Sequence, residues 1–411
     1  EVLSDLLGSE RIGLDDDFFA LGGNSLIATG VAARLGSSLG VTMPLRLLFE
    51  APKVADLAAR IEEEIEPGGR RNELVATTRP ATIPLSPAQQ RIWFLNRFDP
   101  ASPAYNLPFT VRFKGALDVA ALEAALGDVI ARHETLRTRY PESAEGPYQL
   151  ISDDESFSLP TEEIATDDAA GRVLELASTG FDVTTELPLR ATLLRLGSEE
   201  HLLVVVMHHI ASDGWSVGPL AGDVMRAFTA RSDGRNPELP VLPVQYADYT
   251  LWQRDLLGTE NDPASTAARQ LDFWRHTLAG LPDAIDLPTD RPRPAEPTHR
   301  GAVMEFSVPA ELHDGMRDLA HAGQASVFMV AHAALTVLLH RLSHSDDIAI
   351  GTAVSGRGHA ALDDLIGMFV GTLVLRTQVD PGAGFADLLS RTRDGDLAAL
   401  DHGDLPFERI V

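Results

Sequence analysis

The apolar run at residues 202–207, which includes three consecutive valines, is the most strongly patterned stretch of the chain. Ser198-Glu199-Glu200 precedes the run, and Asp213-Gly214 follows it. A short continuous apolar run between polar turn residues predicts a strand that is buried on both faces. Because side chains alternate across a strand, His208 and His209 at its end are expected to point to opposite faces, so only one of them can serve a given site.

Helical and strand-like patterns alternate through the rest of the long segment after residue 82. Strands are predicted near 107–113, 147–151, 189–196, 302–308 and 348–354, and helices at 85–95, 118–131, 167–178, 262–279 and 326–342. His133 and Glu134 follow one of these helices and are interpreted as structural helix-end residues. The alternation predicts layers of helices on sheets, an α/β architecture.

The first 65 residues contain helical patterns only. Two glycines, Gly22 and Gly23, form a turn, and Asn24 or Ser25 then caps a helix that runs to about Leu35, with Gly36 suited to its end. A short helix is predicted at 44–49 and another at 52–64. The chain opens partway into an amphipathic helix, which we interpret as a sign of a longer polypeptide.

Residues 66–81 are predicted to form a linker. Pro67, Gly68 and Gly69 stand in a polar stretch without periodicity, which is typical of a flexible or extended connection. We therefore place the domain boundary here, with domains at 1–65 and from 82 onward.

Composition narrows the classes of function. At 411 residues the chain is long enough for two or three domains, and its net charge of −26 argues against nucleic acid or an anionic membrane as a partner. The sequence has no cysteine, which excludes disulfides and thiolate metal sites. It shows neither a signal-peptide pattern nor an apolar run long enough to span a membrane, so a cytoplasmic location is expected.

The end of the central strand carries the candidate chemistry. A buried strand that ends in His and is followed by Asp and Gly places a titratable imidazole beside an accessible backbone N–H, an arrangement suited to acyl transfer. A single His at a strand end is more often structural. A metal site built from His208, His209 and Asp213 is disfavoured, because adjacent strand residues do not converge on one ion.

The sequence His208-His209-x-x-x-Asp213-Gly214 resembles the core motif of nonribosomal peptide synthetase condensation domains and of the wider acyltransferase superfamily that includes chloramphenicol acetyltransferase. Five further segments are similar to that family, at 85–95, 132–138, 246–253, 366–373 and 402–408. At Gly371 the family usually has Asn, which puts in doubt a substrate-facing hydrogen bond at this position.

The resemblance implies two similar lobes, at 82–250 and 251–411, with a tunnel between them and the last part of the second lobe apparently missing. It implies that His209 accepts a proton from, or orients, an acceptor amine, and that Gly214 N–H stabilises the oxyanion. Asp213 would be a structural support paired with a distant arginine, for which Arg341 is a candidate. His208, on the other strand face, would be packed.

The pattern Asp-x-Phe-Phe-x-Leu-Gly-Gly-x-Ser-Leu, which ends at Ser25-Leu26, resembles the modification site of peptidyl carrier proteins, which are small four-helix bundles. The resemblance implies that Ser25 carries 4′-phosphopantetheine through a phosphodiester, whose thiol holds an acyl group as a thioester. A phosphate at a helix N-terminus would meet free N–H groups and the positive end of the helix dipole.

Together the resemblances imply peptide bond formation between aminoacyl or peptidyl thioesters. The partners would be a downstream acceptor carrier, adenylation domains and a phosphopantetheinyl transferase. The direct join of carrier and condensation segments, and Asn24 in place of an Asp, mildly favour an L-configured donor. Epimerisation and a non-catalytic carrier-docking scaffold remain alternatives, whereas heterocyclisation is disfavoured because that branch replaces the paired histidines.

Overall fold

The structure is a computed structural model that describes residues 2–9, 11–39, 41, 43–64, 73–153, 157–292, 294–295 and 301–410. Its helices are α1 (Val2–Leu7), α2 (Ser25–Leu39), α3 (Arg46–Glu50), α4 (Val54–Glu64), α5 (Pro87–Phe98), α6 (Val119–Arg132), α7 (Ala169–Ala177), α8 (Val217–Ser232), α9 (Tyr246–Leu257), α10 (Thr266–Thr277), α11 (Ala310–Ala322), α12 (Val327–Ser343) and α13 (Phe385–Asp401). Its strands are β1 (Ile83–Pro84), β2 (Asn106–Lys114), β3 (Thr138–Arg139), β4 (Glu142–Ser143), β5 (Gly146–Ile151), β6 (Thr161–Glu163), β7 (Leu189–Gly197), β8 (Glu200–His208), β9 (Asp347–Val354) and β10 (Gly371–Gln378).

The chain divides into two compact units that do not follow sequence order. The first unit contains residues 1–71, 259–354 and 372–411, and the second contains 72–258 and 355–371. The short segment 355–371 thus belongs to the second unit, although β9 and all of β10 except its first residue, Gly371, lie in the first.

The second unit is built on a four-stranded sheet in the order β2-β8-β7-β6. Strand β8 pairs antiparallel with β2 and with β7, and β6 pairs parallel with β7. Leu203, Val205 and Met207 pack on one face of β8, while Val204 and Val206 pack on the other, and all five are buried. The prediction of a strand buried on both faces is therefore confirmed.

Helix α5 covers one side of this unit and begins where its sequence predicts. Ser86 is its N-cap: the Ser86 hydroxyl accepts from the Gln89 N–H, and the Gln89 side chain accepts from the Ser86 N–H. Pro87 occupies the first turn, where a missing N–H costs nothing. Ser86 is itself fully buried, so this cap also fixes α5 within the core.

The first unit begins with the four helices α1–α4. Asn24 is the N-cap of α2, since its side-chain oxygen accepts from the Ile27 N–H at 3.0 Å. The prediction that this helix ends at Gly36 is wrong, because α2 continues to Leu39. The glycine serves another purpose: a Cβ at Gly36 would lie 2.7 Å from the Val41 carbonyl oxygen, so its absence lets the departing chain approach the helix.

The strand predicted at 302–308 is also wrong. These residues lie outside any helix or strand, and Val303, Met304 and Phe306 are 85–93% exposed. An alternating apolar pattern becomes a strand only when a neighbouring strand supplies hydrogen-bond partners. In the described part of the first unit, the only sheet is the pair β9–β10.

No single helix among the described residues is long and apolar enough to cross a membrane. Helices α11 and α12 meet that test of length and composition only as a pair, and the pair is bent by 103°.

Candidate active site

The candidate site forms where β8 ends, and several side chains hold the loop that follows. The His209 N–H donates to the Tyr105 carbonyl at 2.8 Å, which extends the pairing of β8 one residue past its end. Gln89 Nε2 donates to the Ile210 carbonyl at 3.2 Å, and the Thr135 hydroxyl donates to the Ala211 carbonyl at 3.3 Å. The backbone after the two histidines is therefore fixed from two directions.

His208 is packed in the interior. Its ring lies against those of Tyr105 and Phe181, and its Nδ1 accepts from the Ile210 N–H at 3.2 Å. Burial, followed by the nearby charges of His209 and Arg190, lowers the pKa of His208 to about 3. His208 is thus neutral near pH 7 and takes a structural place in the core.

His209 is half-buried, and its ring meets a different set of neighbours. Its Nδ1 lies 3.1 Å from the Met368 sulfur. Met368 in turn is held by its backbone, because the Tyr246 hydroxyl donates to the Met368 carbonyl at 2.7 Å. The buried Tyr246 phenol remains protonated, since burial raises its pKa well above 10. The neighbour of His209 is therefore part of a rigid support.

The support for Met368 is the segment 367–370, which is tied down by hydrogen bonds to Tyr246, Ser216 and Asp213. Besides the bond from Tyr246, the Gly367 N–H donates to the Ser216 hydroxyl at 3.1 Å, and the N–H groups of Phe369 and Val370 donate to the carboxylate of Asp213 at 3.0 and 3.2 Å. A Cβ at Gly367 would lie 2.3 Å from the Tyr246 ring, so only glycine fits beside that ring.

Asp213 has no exposed surface and links three parts of the second unit. One oxygen accepts from the Ser216 N–H at 2.9 Å, from the Ser216 hydroxyl at 2.8 Å and from the Arg357 guanidinium at 3.2 Å. The other oxygen accepts the two N–H groups of the segment 367–370. The arginine partner of Asp213 is Arg357, so the suggestion of Arg341 is wrong.

Arg357 is positioned by its own contacts as well. It donates to the carbonyls of Leu362 and Leu365, and its guanidinium lies 4.2 Å from the centre of the Phe369 ring. Gly356, just before it, has φ +64°, and a Cβ there would lie 2.0 Å from the Phe369 carbonyl oxygen. The Ser-Gly-Arg turn after β9 therefore brings Arg357 to Asp213, and sequence distance alone did not indicate this.

Gly214 lies on the exposed side of the same turn. It is the first residue of a single 3-10 turn, Gly214–Ser216, so its N–H has no acceptor within that turn. A Cβ at Gly214 would meet no atom within 4 Å, so the space on the side-chain face of this residue is open.

A second buried polar cluster lies behind the site. Arg132 Nε and His133 Nε2 both contact the same oxygen of Asp223, each at 2.8 Å. Burial lowers the pKa of His133 despite its contact with Asp223. A neutral His133 with its proton on Nε2 donates to Asp223 and accepts from the Ile366 N–H at 3.5 Å. This cluster supports the backbone just before Gly367.

Ser25 is the first residue of α2, and its side chain lies outside the described atoms. The turn before it suits attachment of a large group. Gly22 has φ +96°, and Gly22 and Asn24 are exposed, whereas a Cβ at Gly23 would lie 2.5 Å from the buried Phe18 ring. The turn therefore presents a helix N-terminus to solvent, and that position fits a phosphodiester.

The structure adds site residues that the sequence reasoning did not single out: Ser216, Tyr246, Arg357 and Met368. A usable signal existed for one of them, since Asp213-Gly-Trp-Ser216 has the spacing of a capping box: Asp213 is the N-cap of the turn, and the Ser216 hydroxyl accepts from the Asp213 N–H at 3.2 Å. Among the described residues no group of three or more His, Asp or Glu side chains could hold a metal ion.

Two family models match the chain. Residues 80–411 match the condensation domain, and residues 1–61 match the phosphopantetheine attachment site. The predicted fold class, a small all-α carrier followed by a two-lobed α/β domain like that of chloramphenicol acetyltransferase, is confirmed by these matches and by the solved structures below.

Curated relatives include large peptide synthetases. A probable non-canonical nonribosomal peptide synthetase, CymA, of Salinispora arenicola is 47% identical over 411 residues, covering 100% of this chain and 5% of that protein. A dimodular nonribosomal peptide synthase of Bacillus subtilis is 45% identical over 415 residues, covering 100% of this chain and 17% of that protein. The chain thus spans a small part of each relative.

Among solved structures, the X-domain of teicoplanin biosynthesis in complex with OxyB aligns with a TM-score of 0.79 and 36% identity, over 83% of this chain and 75% of that one. The first condensation domain of the CDA synthetase aligns with a TM-score of 0.63 and 22% identity, over 80% of this chain and 78% of that one, and this likeness concerns the fold.

Proposed function

Because the chain belongs to the condensation-domain family and carries a phosphopantetheine attachment domain before it, we propose that it forms amide bonds between acyl groups held on carriers. The observation that carries the proposal is His209, half-buried at the end of β8, whose ring is supported by a segment tied to Asp213 and Ser216. The 4′-phosphopantetheine arm on Ser25 would supply the thiol that holds the donor acyl group as a thioester.

In the proposed reaction the amine of an acceptor aminoacyl thioester attacks the carbonyl carbon of the donor thioester. The new C–N bond forms, the C–S bond breaks, and the proton lost by the amine ends on the released thiol. His209 accepts or orders the amine proton, and Gly214 N–H donates to the developing oxyanion. Holding two tethered reactants in line contributes about 7–11 kcal/mol, so general-base catalysis is the smaller part.

The experiment loads the chain with a phosphopantetheinyl transferase and an aminoacyl-coenzyme A, then adds a soluble aminoacyl-thioester acceptor. Intact mass is expected to rise by one acyl-pantetheine arm in the wild type and not in Ser25→Ala. Transfer to the acceptor is expected to slow by about 10²–10⁴-fold in His209→Ala. His276→Ala, at a histidine whose side chain is 79% exposed, serves as the matched control. Transfer by His209→Ala at the wild-type rate would contradict the assignment.

The configuration of the donor is a finer part of the proposal. Asn24 before Ser25, and the direct join of the two domains, favour an L-configured donor. Epimerisation requires exchange of the α-hydrogen, so loading in D₂O separates the two activities. Retention of the α-hydrogen in the product supports condensation, whereas a mass gain of about one unit on the bound acyl group would support epimerisation.

A binding role without chemistry is the second candidate, because a structural neighbour at 36% identity is an X-domain in complex with OxyB. Such a scaffold would be loaded on Ser25 and would transfer nothing to any acceptor, with or without His209. If the chain catalyses condensation, its proposed partners are a downstream acceptor carrier and the adenylation domains of the same assembly line.

A further inference from the structure

The residues just before β1 are fixed to the second unit, although their sequence predicts part of a flexible linker. Leu74 is 3% exposed, while Glu73 and Val75 on either side of it are exposed. Its side chain enters an apolar cluster formed by Val244, Tyr246, Tyr249, Leu362, Leu365 and Phe369. A single buried leucine in an exposed stretch marks a point of attachment.

Arg79 provides a second attachment five residues later. Its guanidinium donates to both oxygens of Asp248, from Nε at 2.8 Å and from Nη2 at 2.9 Å, and Nη1 donates to Glu134 at 2.7 Å. The Asp248 side chain is 2% exposed and also accepts from the Gln245 N–H at the start of α9. A two-pronged ion pair with a buried carboxylate fixes direction as well as position.

We propose that residues 74–79, here called the strap, fasten the connection from the carrier to the second unit, so that the tether that sets the carrier's reach ends at Leu74. Helix α4 ends at Glu64, and β1 begins at Ile83. The tether thus has 10 residues (74 minus 64) with the strap in place and 19 (83 minus 64) without it. At about 3.3–3.6 Å per residue, the fastened tether spans at most about 36 Å.

A shorter tether raises the effective concentration of the carrier at its target. Effective concentration falls roughly as the −3/2 power of tether length once the tether is long enough to span. Release of the strap is therefore expected to lower transfer from the chain's own carrier by about 2–3-fold. This consequence rests on the proposed condensation function, whereas the attachment itself does not.

A rival explanation assigns Leu74 and Arg79 to the site itself. Leu74 packs against Tyr246 and Phe369. Tyr246 donates a hydrogen bond to the Met368 carbonyl, Phe369 follows Met368 in the chain, and Met368 contacts His209. If the strap only supported His209, its loss would slow transfer from any carrier, attached or separate. The two explanations therefore differ in a measurable way.

Chymotrypsin tests the attachment without any need for activity. It cuts after exposed leucines, so Leu74 is expected to resist cleavage in the full chain and to be cut about tenfold faster in Arg79→Gln, which corresponds to about 1.4 kcal/mol of local opening. Val75→Ala is the matched control, because Val75 is 48% exposed. Equal cleavage after Leu74 in the wild type and in Arg79→Gln would overturn the strap.

A comparison of transfer within one chain and between two chains tests the reach. For transfer between chains, the His209→Ala chain supplies the loaded carrier, and the Ser25→Ala chain supplies the catalytic site. Arg79→Gln and Leu74→Ala are expected to lower transfer within the chain by about 2–3-fold and to leave transfer between chains unchanged when placed in the Ser25→Ala chain. An equal fall in both would overturn the claim about reach.

Failure of the proposed function gives a different result. The wild-type chain would then transfer nothing in either arrangement, and the cleavage experiment alone would decide whether the strap exists.

Discussion

At the scale of single residues, Asp213 shows how a buried carboxylate can organise a site without touching substrate. Five donors converge on its two oxygens, three from Ser216 and Arg357 and two from the backbone of Phe369 and Val370. The donors come from three places along the chain: the turn after β8, Arg357 and the segment 367–370. The side chain therefore converts three separate segments into one rigid support for His209.

Asp213→Asn tests this arrangement, because an amide keeps the shape but replaces one acceptor with a donor. Whichever way the new side-chain amide at position 213 is turned, its NH₂ group would replace an oxygen that accepts hydrogen bonds and would meet donors only. We expect the free energy of unfolding, measured in urea, to fall by about 3–5 kcal/mol. Asp153→Asn is the matched control, since Asp153 is 93% exposed and its ion pair with Arg137 contributes little. A full-stability Asp213→Asn chain would contradict the role.

The low pKa of His208 predicts how stability depends on pH. The folded chain holds His208 neutral down to about pH 3, whereas the unfolded chain protonates it near pH 6.5, so the unfolded state binds more protons between these values. The contribution of neutral His208 to the free energy of unfolding is therefore fully present above pH 6.5 and is lost as the pH falls below that value. We expect His208→Gln to flatten this dependence by up to about 1.4 kcal/mol per pH unit.

The comparison for His208 uses urea unfolding at pH 7, 6 and 5 in the two chains. Other titrating groups, including His133, are present in both and cancel in the difference. Parallel curves for the wild type and His208→Gln would show that His208 titrates normally in the folded chain.

At the scale of elements, backbone geometry decides the position of the segment 367–370. Gly367 leaves room for the Tyr246 ring, and the positive φ of Gly356 turns the chain so that Arg357 reaches Asp213. The segment has no regular secondary structure before β10. The segment is held by hydrogen bonds to side chains of the loop after β8 and of α9, and not by backbone pairing with a neighbouring strand.

Gly367→Ala should disturb that segment directly. The new methyl group would lie 2.3 Å from Tyr246, so we expect a loss of about 1–3 kcal/mol in unfolding free energy and slower transfer. Gly222→Ala, within α8, is the control, because a Cβ there meets nothing within 4 Å and alanine favours helix by about 1 kcal/mol. Equal stability of Gly367→Ala and the wild type would mean that Tyr246 can move aside.

Local patterns predicted most elements, and the failures have physical causes. The apolar run of β8 and the Ser86 cap of α5 depend on neighbouring residues only, so sequence predicts both. The alternating apolar pattern at 302–308 would form a strand only beside a partner strand, and the local sequence does not show whether such a partner exists. Arg357 lies 144 residues from Asp213 in the sequence, and Met368 lies 159 residues from His209. Only the fold brings the two members of each pair together.

At the scale of the whole molecule, charge is unevenly matched, with 60 acidic and 34 basic side chains. Many arginines are already paired with carboxylates, as in Arg231 with Asp128 and Arg376 with Asp347. The remaining acidic surface repels itself in the compact state. Added salt screens this repulsion more strongly than it weakens the partly buried pairs.

We therefore expect the melting temperature to rise as sodium chloride increases from 0.05 to 0.5 M at pH 7. A screening contribution of about 1 kcal/mol corresponds to about 2–4 °C. The effect should shrink near pH 4.8, the calculated isoelectric point, where the net charge is small. A lower melting temperature in high salt at pH 7 would mean that the ion pairs outweigh the net repulsion.

The interleaved path of the chain matters for anyone who recombines such proteins. A chimera joined after Gly258 would keep Asp213, Ser216 and Tyr246 from one parent and take residues 355–371 from the other. The contacts of Asp213 with Arg357, Phe369 and Val370 would then join two sequences that were never selected together. A crossover scheme that transplants 355–371 along with 72–258 preserves the complete support of His209, even though it needs two extra junctions.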